Sequence, residues 1–162
     1  MACRTRAGAT RQRGGLRVRP SDERFEGFCQ TIAAAGFAVR EDLVRRSCHK
    51  FEHAFTAVQQ LMNMAAPPTA IACINIAQLL GKMAGLKNIG LSVPHDVSVI
   101  SFDGFHPAEG WTPSITSLHQ DIATISARAS ERLMARIAGD QEPPQTIRVP
   151  PRLQIRESCR AL

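Results

Sequence analysis

Apolar positions recur along the chain with two different periods, arranged in alternating blocks. In "SDERFEGFCQTIAAAG" Phe25, Phe28, Cys29 and Ile32 fall at i, i+3, i+4 and i+7, which predicts a helix with one buried stripe. Ser21 or Asp22 can cap it, acids crowd its first turn, and Gly36 ends it. A short extended piece is expected over 37–44. The next helix is expected over 49–64, with Phe51, Phe55, Val58 and Met62 on one face, and "PPT" breaks the chain after it. "AIACI" (70–74) reads as a short buried strand. A third helix over 75–86 turns Leu79, Leu80, Met83 and Leu86 inward. Residues 97–100 alternate as a strand, and an irregular stretch then crosses Pro107, Gly110 and Pro113. "SITSLH" reads as extended. A fourth helix over 121–137 carries a stripe of Ile122, Ile125, Ala129, Leu133 and Ile137, closed by Gly139. "TIRV" and "RLQIR" read as two closing strands around Pro150 and Pro151.

Strands that alternate with helices of this length predict an α/β fold, an open parallel sheet with flanking helices. Ligands of such sheets bind outside the carboxyl ends of the strands. Asn75 follows "AIACI" and Asp103 follows "VSVISF", so both stand at such ends, and Arg24 lies in the first turn of the first helix. An arginine fork, an amide and a carboxylate around one cleft can hydrogen-bond a small polyol or a base-like ligand. Each residue also has a plainer role. Asp103 can be a turn acid, Asn75 an N-cap, and Arg24 a surface residue beside Glu23.

The 162 residues are 44% hydrophobic and 21% charged, which suits one domain with a sizeable core. The net charge of +6 suggests nucleic acid until it is located. Residues 1–20 hold six arginines and no acid, whereas the other 142 residues hold 14 basic and 14 acidic groups. The globular part is neutral. Residues 1–20 are expected to be a basic, disordered leader with little to bury, solvated rather than bound to nucleic acid. Five scattered cysteines without a Cys-x-x-Cys pair make neither a disulfide framework nor a thiolate metal site. No apolar run has membrane-spanning length and no signal-like segment opens the chain, so a cytoplasmic location and no membrane partner are expected.

"HKFEH", His49 to His53, matches His-x-x-Glu-His, with two histidines on one helix face and Glu52 placed to activate water. No third ligand accompanies it. Neither metal nor cofactor nor enzymatic activity is expected, and a zinc metallohydrolase is kept as the remote alternative.

Five blocks in order, "RFEGF", "PPTAIACIN", "GLSVPHDVSVISFDG", "TPSITSLHQD" and "RLQIRES", resemble the effector-binding core of LacI/GalR-family transcription regulators, from about Ser21 to Ser158. The resemblance implies a periplasmic-binding-protein-like (type I) lobe over 21–113. It also implies a segment of an incomplete second, amino-terminal lobe over 114–151 and a returning strand over 152–160, all within a sensor domain of residues 21–160. Arg24, Asn75 and Asp103 match positions that contact effector hydroxyls in sugar-responsive members. His49 falls near where such members can place an aromatic on the effector. Trp111, the single tryptophan, either packs on the effector or plugs the lobe interface, the latter being the plainer role. The chain departs from the family pattern at Ile76, Ser101 and Gly104, where Asp, Gly and a second acid are usual.

The resemblance further implies a small-molecule effector, a sugar by preference, and a homodimer in the full-length protein. DNA would be contacted only through a helix-turn-helix headpiece, which is absent from this chain. A periplasmic-type sugar-binding protein of a transporter is the alternative. The fourth helix would lack its sheet, leaving exposed a stripe worth up to about 2–3 kcal/mol per residue if fully buried.

Overall fold

The computed structural model describes residues 7–10, 19–45, 50–104 and 112–160. Its elements run β1 (Ala7–Thr10), α1 (Arg19–Ala34), a 3-10 turn (Glu41–Leu43), β2 (Val44–Arg45), α2 (Phe51–Met62), β3 (Ala70–Cys73), α3 (Ile76–Asn88), β4 (Ser98–Phe102), β5 (Thr116–His119), α4 (Ile122–Ile137) and β6 (Arg152–Gln154). One six-stranded sheet holds them in the order β2-β1-β3-β4-β5-β6, parallel except for β6, which runs antiparallel to β5. The expected α/β architecture is present.

The expectation of a disordered leader over 1–20 is corrected at two places. Residues 7–10 form an interior strand, pairing Ala9 with Val44 on one side and Ala7 with Ala70 on the other. A strand flanked on both sides satisfies its backbone groups through the ladders, so small residues suffice. The first helix also begins at Arg19, ahead of the expected start. Pro20 in its first turn needs no amide partner. The domain therefore includes residues before 21. Residues 116–119, assigned above to the second lobe, form the fifth strand of this sheet, with Ile100 opposite Thr116 and Phe102 opposite Leu118.

The core lies between β3, β4 and the α2/α3 pair, and comprises Val58, Ile71, Cys73, Leu79, Leu86, Val97, Val99 and Ile115. A smaller cluster joins Phe25 and Val44, with Phe28, Cys29 and Val39 packed on it, so the expected stripe of α1 faces the sheet. The expected inward face of α2 holds at Val58, which is buried, and at Met62, which packs on the core. It is corrected at Phe51, which is exposed, while Ala54, Ala57 and Leu61 are buried. The cause is the closeness of α3. A Cβ at Gly81 would sit 2.3 Å from the Phe51 carbonyl oxygen, and one at Gly85 would sit 2.4 Å from Val58 Cγ1. Helices that approach this closely have room for alanines, not phenyl rings, between them.

Residues 146–149, expected as a strand, form no assigned strand and join no ladder. The fourth helix forms over its expected range and buries none of its residues; Ile122 is 60% exposed, Leu133 61% and Ile137 71%. Near the carboxyl end of the chain, Ser158 is fully buried and takes the place of a further strand residue. Its hydroxyl donates to the Val99 carbonyl oxygen at 2.6 Å and accepts from the Thr116 amide at 2.8 Å.

Candidate functional site: a crevice at the carboxyl ends of β3 and β4

The strand order sets the position of the crevice. The chain leaves β1 through α1 toward β2 on one side, and leaves β3 through α3 toward β4 on the other. The connections diverge between β1 and β3, and open α/β sheets bind ligands at such a point.

Three sequence-nominated residues gather beside it, at the carboxyl ends of β3 and β4. Arg24, in the second turn of α1, reaches over the end of β3 and donates from Nη1 to the Ile74 carbonyl oxygen at 2.7 Å. Its Nη2 faces Asp103 Oδ2 at 3.8 Å, and its Cζ lies 3.7 Å from the centroid of the Phe102 ring. The guanidinium is thus held by a carbonyl, an aromatic face and a carboxylate. Burial lowers its pKa from the ordinary arginine value, and the charge of Asp103 opposes that shift. A guanidinium remains protonated at neutral pH all the same.

Asn75, immediately after Ile74, caps α3. Its Oδ1 accepts from the Gln78 amide at 2.9 Å, with the residue in an extended conformation. This is the plainer role expected for it, and it fixes the side chain at the crevice. The next turn of α3 also clasps β3. Gln78 Oε1 accepts from the Ile74 amide at 3.3 Å, and the fully buried Lys82 donates to the Ala72 carbonyl oxygen at 3.2 Å.

Asp103 follows β4 with φ of 61°, the one non-glycine residue at positive φ among the described residues. Such a backbone is uncommon outside glycine and costs on the order of 1 kcal/mol or more. Its amide donates to the Leu118 carbonyl oxygen at 2.8 Å, and its Oδ1 accepts from Gln120 Nε2 at 2.9 Å. The side chain of Ser101, where the family pattern has Gly, is turned into the protein, its hydroxyl donating to the Phe102 carbonyl oxygen at 3.2 Å.

Arg24 and Asp103 therefore pair, and Asn75 stands beside them through its neighbour Ile74. His49 and Trp111, the two other nominated residues, lie outside the described residues. Gln120 was not singled out in the sequence, nor were Ser117 and His119, whose Oγ and Nε2 are 2.9 Å apart under Gly104. Their only sequence signal is the run "SLHQ" in the strand beside "FDG". Glu52 and His53 of "HKFEH" are exposed on α2, and no metal-holding group of three or more His, Cys, Asp or Glu occurs among the described residues. No helix among the described residues is long and apolar enough to cross a membrane.

A family model for a periplasmic binding protein-like domain matches residues 4–159. The HTH-type transcriptional repressor PurR of Actinobacillus pleuropneumoniae is 34% identical over 151 residues, covering 92% of this chain and 45% of the repressor. PurR of Vibrio campbellii is 32% identical over 140 residues, covering 86% and 42%. The chain thus spans a little under half the length of these relatives. Among solved structures, the Escherichia coli transcriptional repressor ascG superposes with a TM-score of 0.80 at 25% identity, covering 97% of this chain and 56% of that one. The transcriptional regulator CelR in complex with cellobiose gives a TM-score of 0.83 at 25% identity, covering 94% and 46%. A match that runs from residue 4 also agrees with β1 being part of the fold. This chain belongs to the periplasmic-binding-protein-like domain family, in the form carried by LacI/PurR-type transcriptional repressors.

Proposed function

We propose that this chain is the effector-binding part of a LacI-type transcriptional regulator, and that a sugar or similar small polar ligand binds between Arg24, Asn75 and Asp103. The observation that carries the reading is the 3.8 Å gap between Arg24 Nη2 and Asp103 Oδ2. It is too long for a direct hydrogen bond, yet it suits one hydroxyl that accepts from the guanidinium and donates to the carboxylate. The cellobiose in the CelR complex is in keeping with a small polar ligand of this kind. His49 and Trp111 are proposed as weaker contacts.

Control of transcription follows by linkage. A ligand that favours one arrangement of a full-length homodimer shifts the protein between DNA-competent and incompetent forms. Operator contact is assigned to another part of the full-length protein, the working compartment is the cytoplasm, and the chain is a binding module rather than an enzyme. A transporter's sugar-binding protein would share the fold, but the curated relatives named above are repressors.

A melting panel of cellobiose, glucose, ribose, adenine and glucose 6-phosphate tests the reading. At least one sugar should raise the melting temperature, with about 2.7 kcal/mol of stabilisation at a hundredfold excess over Kd. Unchanged melting with every compound would contradict it.

A further inference from the structure

The Asp103–Gly104 turn is fastened to β5 at three points. The Asp103 amide donates to the Leu118 carbonyl oxygen, and Gln120 Nε2 donates to Asp103 Oδ1. Gly104 lies so close to β5 that a Cβ there would meet Ser117 Oγ at 2.3 Å, Ser117 Cβ at 2.9 Å and His119 Nε2 at 3.1 Å. The two side chains under the glycine are themselves joined, and the Ser117 hydroxyl also lies 3.2 Å from the Ile115 carbonyl oxygen. A hydroxyl has one proton. Given to Ile115, it leaves Ser117 Oγ accepting from His119 Nε2–H. Ser117 is fully buried and cannot move aside, so the imidazole becomes a fixed floor for the turn.

We infer that His119 and Gln120 are positioning residues for the effector site: they hold Asp103 in its left-handed backbone with Oδ1 tied off, leaving Oδ2, opposite Arg24, to receive the ligand. Gly104 is required at its position because any side chain would lift the turn from this floor. The site then presents Asp103 Oδ2 to a ligand hydroxyl opposite the Arg24 guanidinium. The inference rests on the effector reading above.

The test compares His119→Ala, His119→Gln and Gln120→Ala with the unaltered chain, by amide hydrogen exchange and by titration with the same five compounds. Exchange at the Asp103 amide should quicken in His119→Ala and Gln120→Ala while that at Val99 stays unchanged. Affinity for the bound sugar should fall about three- to tenfold, the size of one net hydrogen bond. Glutamine places a donor near the position of Nε2, so His119→Gln should restore both measures, which loss of packing alone would not allow. Unchanged exchange in both alanine variants overturns the inference, and so does quickened exchange with unchanged affinity. An unaltered chain that binds none of the five compounds overturns the effector reading itself, and the exchange result then stands as a separate fact about the turn.

Discussion

Arg24 Nη1 donates to the Ile74 carbonyl oxygen across 50 positions of chain, and this bond ties α1 to the carboxyl end of β3. The same guanidinium rests on Phe102 and faces Asp103, so one side chain links α1, β3 and β4. Arg24→Ala should cost about 1.5–3 kcal/mol, the range for a hydrogen bond to a charged group, measured by urea unfolding. Arg24→Lys should recover little of this, since an ammonium has neither the fork nor the flat face.

Lys82 is fully buried on α3, donating to Ala72 and lying beside the Cys73 thiol. Burial depresses its pKa from the ordinary 10.5, with Cys73 opposing the shift, and burial raises that of Cys73 from 9.0, with Lys82 opposing. A folded state that disfavours the ammonium is least stable where the lysine is charged in both states. Its contribution improves as pH rises from the depressed folded value toward 10.5. Lys82→Met should therefore stabilise the protein by about 1–4 kcal/mol at neutral pH. The gain should shrink as the solution is made alkaline. A destabilised Lys82→Met chain at neutral pH would show instead that the ammonium's bonds outweigh its desolvation.

Ser158 bridges Val99 and Thr116, supplying a donor to one and an acceptor to the other. Ser158→Ala leaves a buried carbonyl and a buried amide without these partners, and should cost about 2–4 kcal/mol. Ser158→Thr keeps the hydroxyl but adds a methyl to a site with no exposure, and should recover only part of the loss. Thermal melts of the two variants check both values.

The apolar side of α4 is exposed among the described residues. Leu133→Lys with Ile137→Lys should leave unfolding free energy within about 0.5 kcal/mol, because neither side chain is buried. The double variant should stay monodisperse by light scattering at concentrations where the unaltered chain self-associates. Marked destabilisation would show that these residues pack against something in solution.

Much of this architecture was legible because helix and strand periods are strong signals. The stripe of α1, the strand over "AIACI", the cap at Asn75 and the acid after "VSVISF" all stand where the pattern places them. What escaped depends on packing that periodicity does not encode. Ala7–Thr10 has no large apolar residue to advertise a strand, and arginines surround it, yet both its neighbours are ladders. In α2 the helical spacing put Phe51 inward with Val58 and Met62, while the close approach of the α3 glycines leaves room there for Ala54 and Ala57. Lys82 reads as a surface residue in any pattern and is buried here. In the crevice, Asp103 and Arg24 were legible from strand ends and family blocks. Gln120 and the Ser117–His119 pair were not, because their relation to Asp103 arises from a positive φ and from the register of β4 with β5.

Calorimetric titration of the five-compound panel into the unaltered chain and into Asp103→Asn shows whether Asp103 receives an effector hydroxyl opposite Arg24. The substitution keeps the shape and removes the charge. The expected result is saturable binding of a sugar by the unaltered chain, weakened at least tenfold in Asp103→Asn, as for loss of a charge-assisted hydrogen bond. Equal affinity in the two chains would contradict the account.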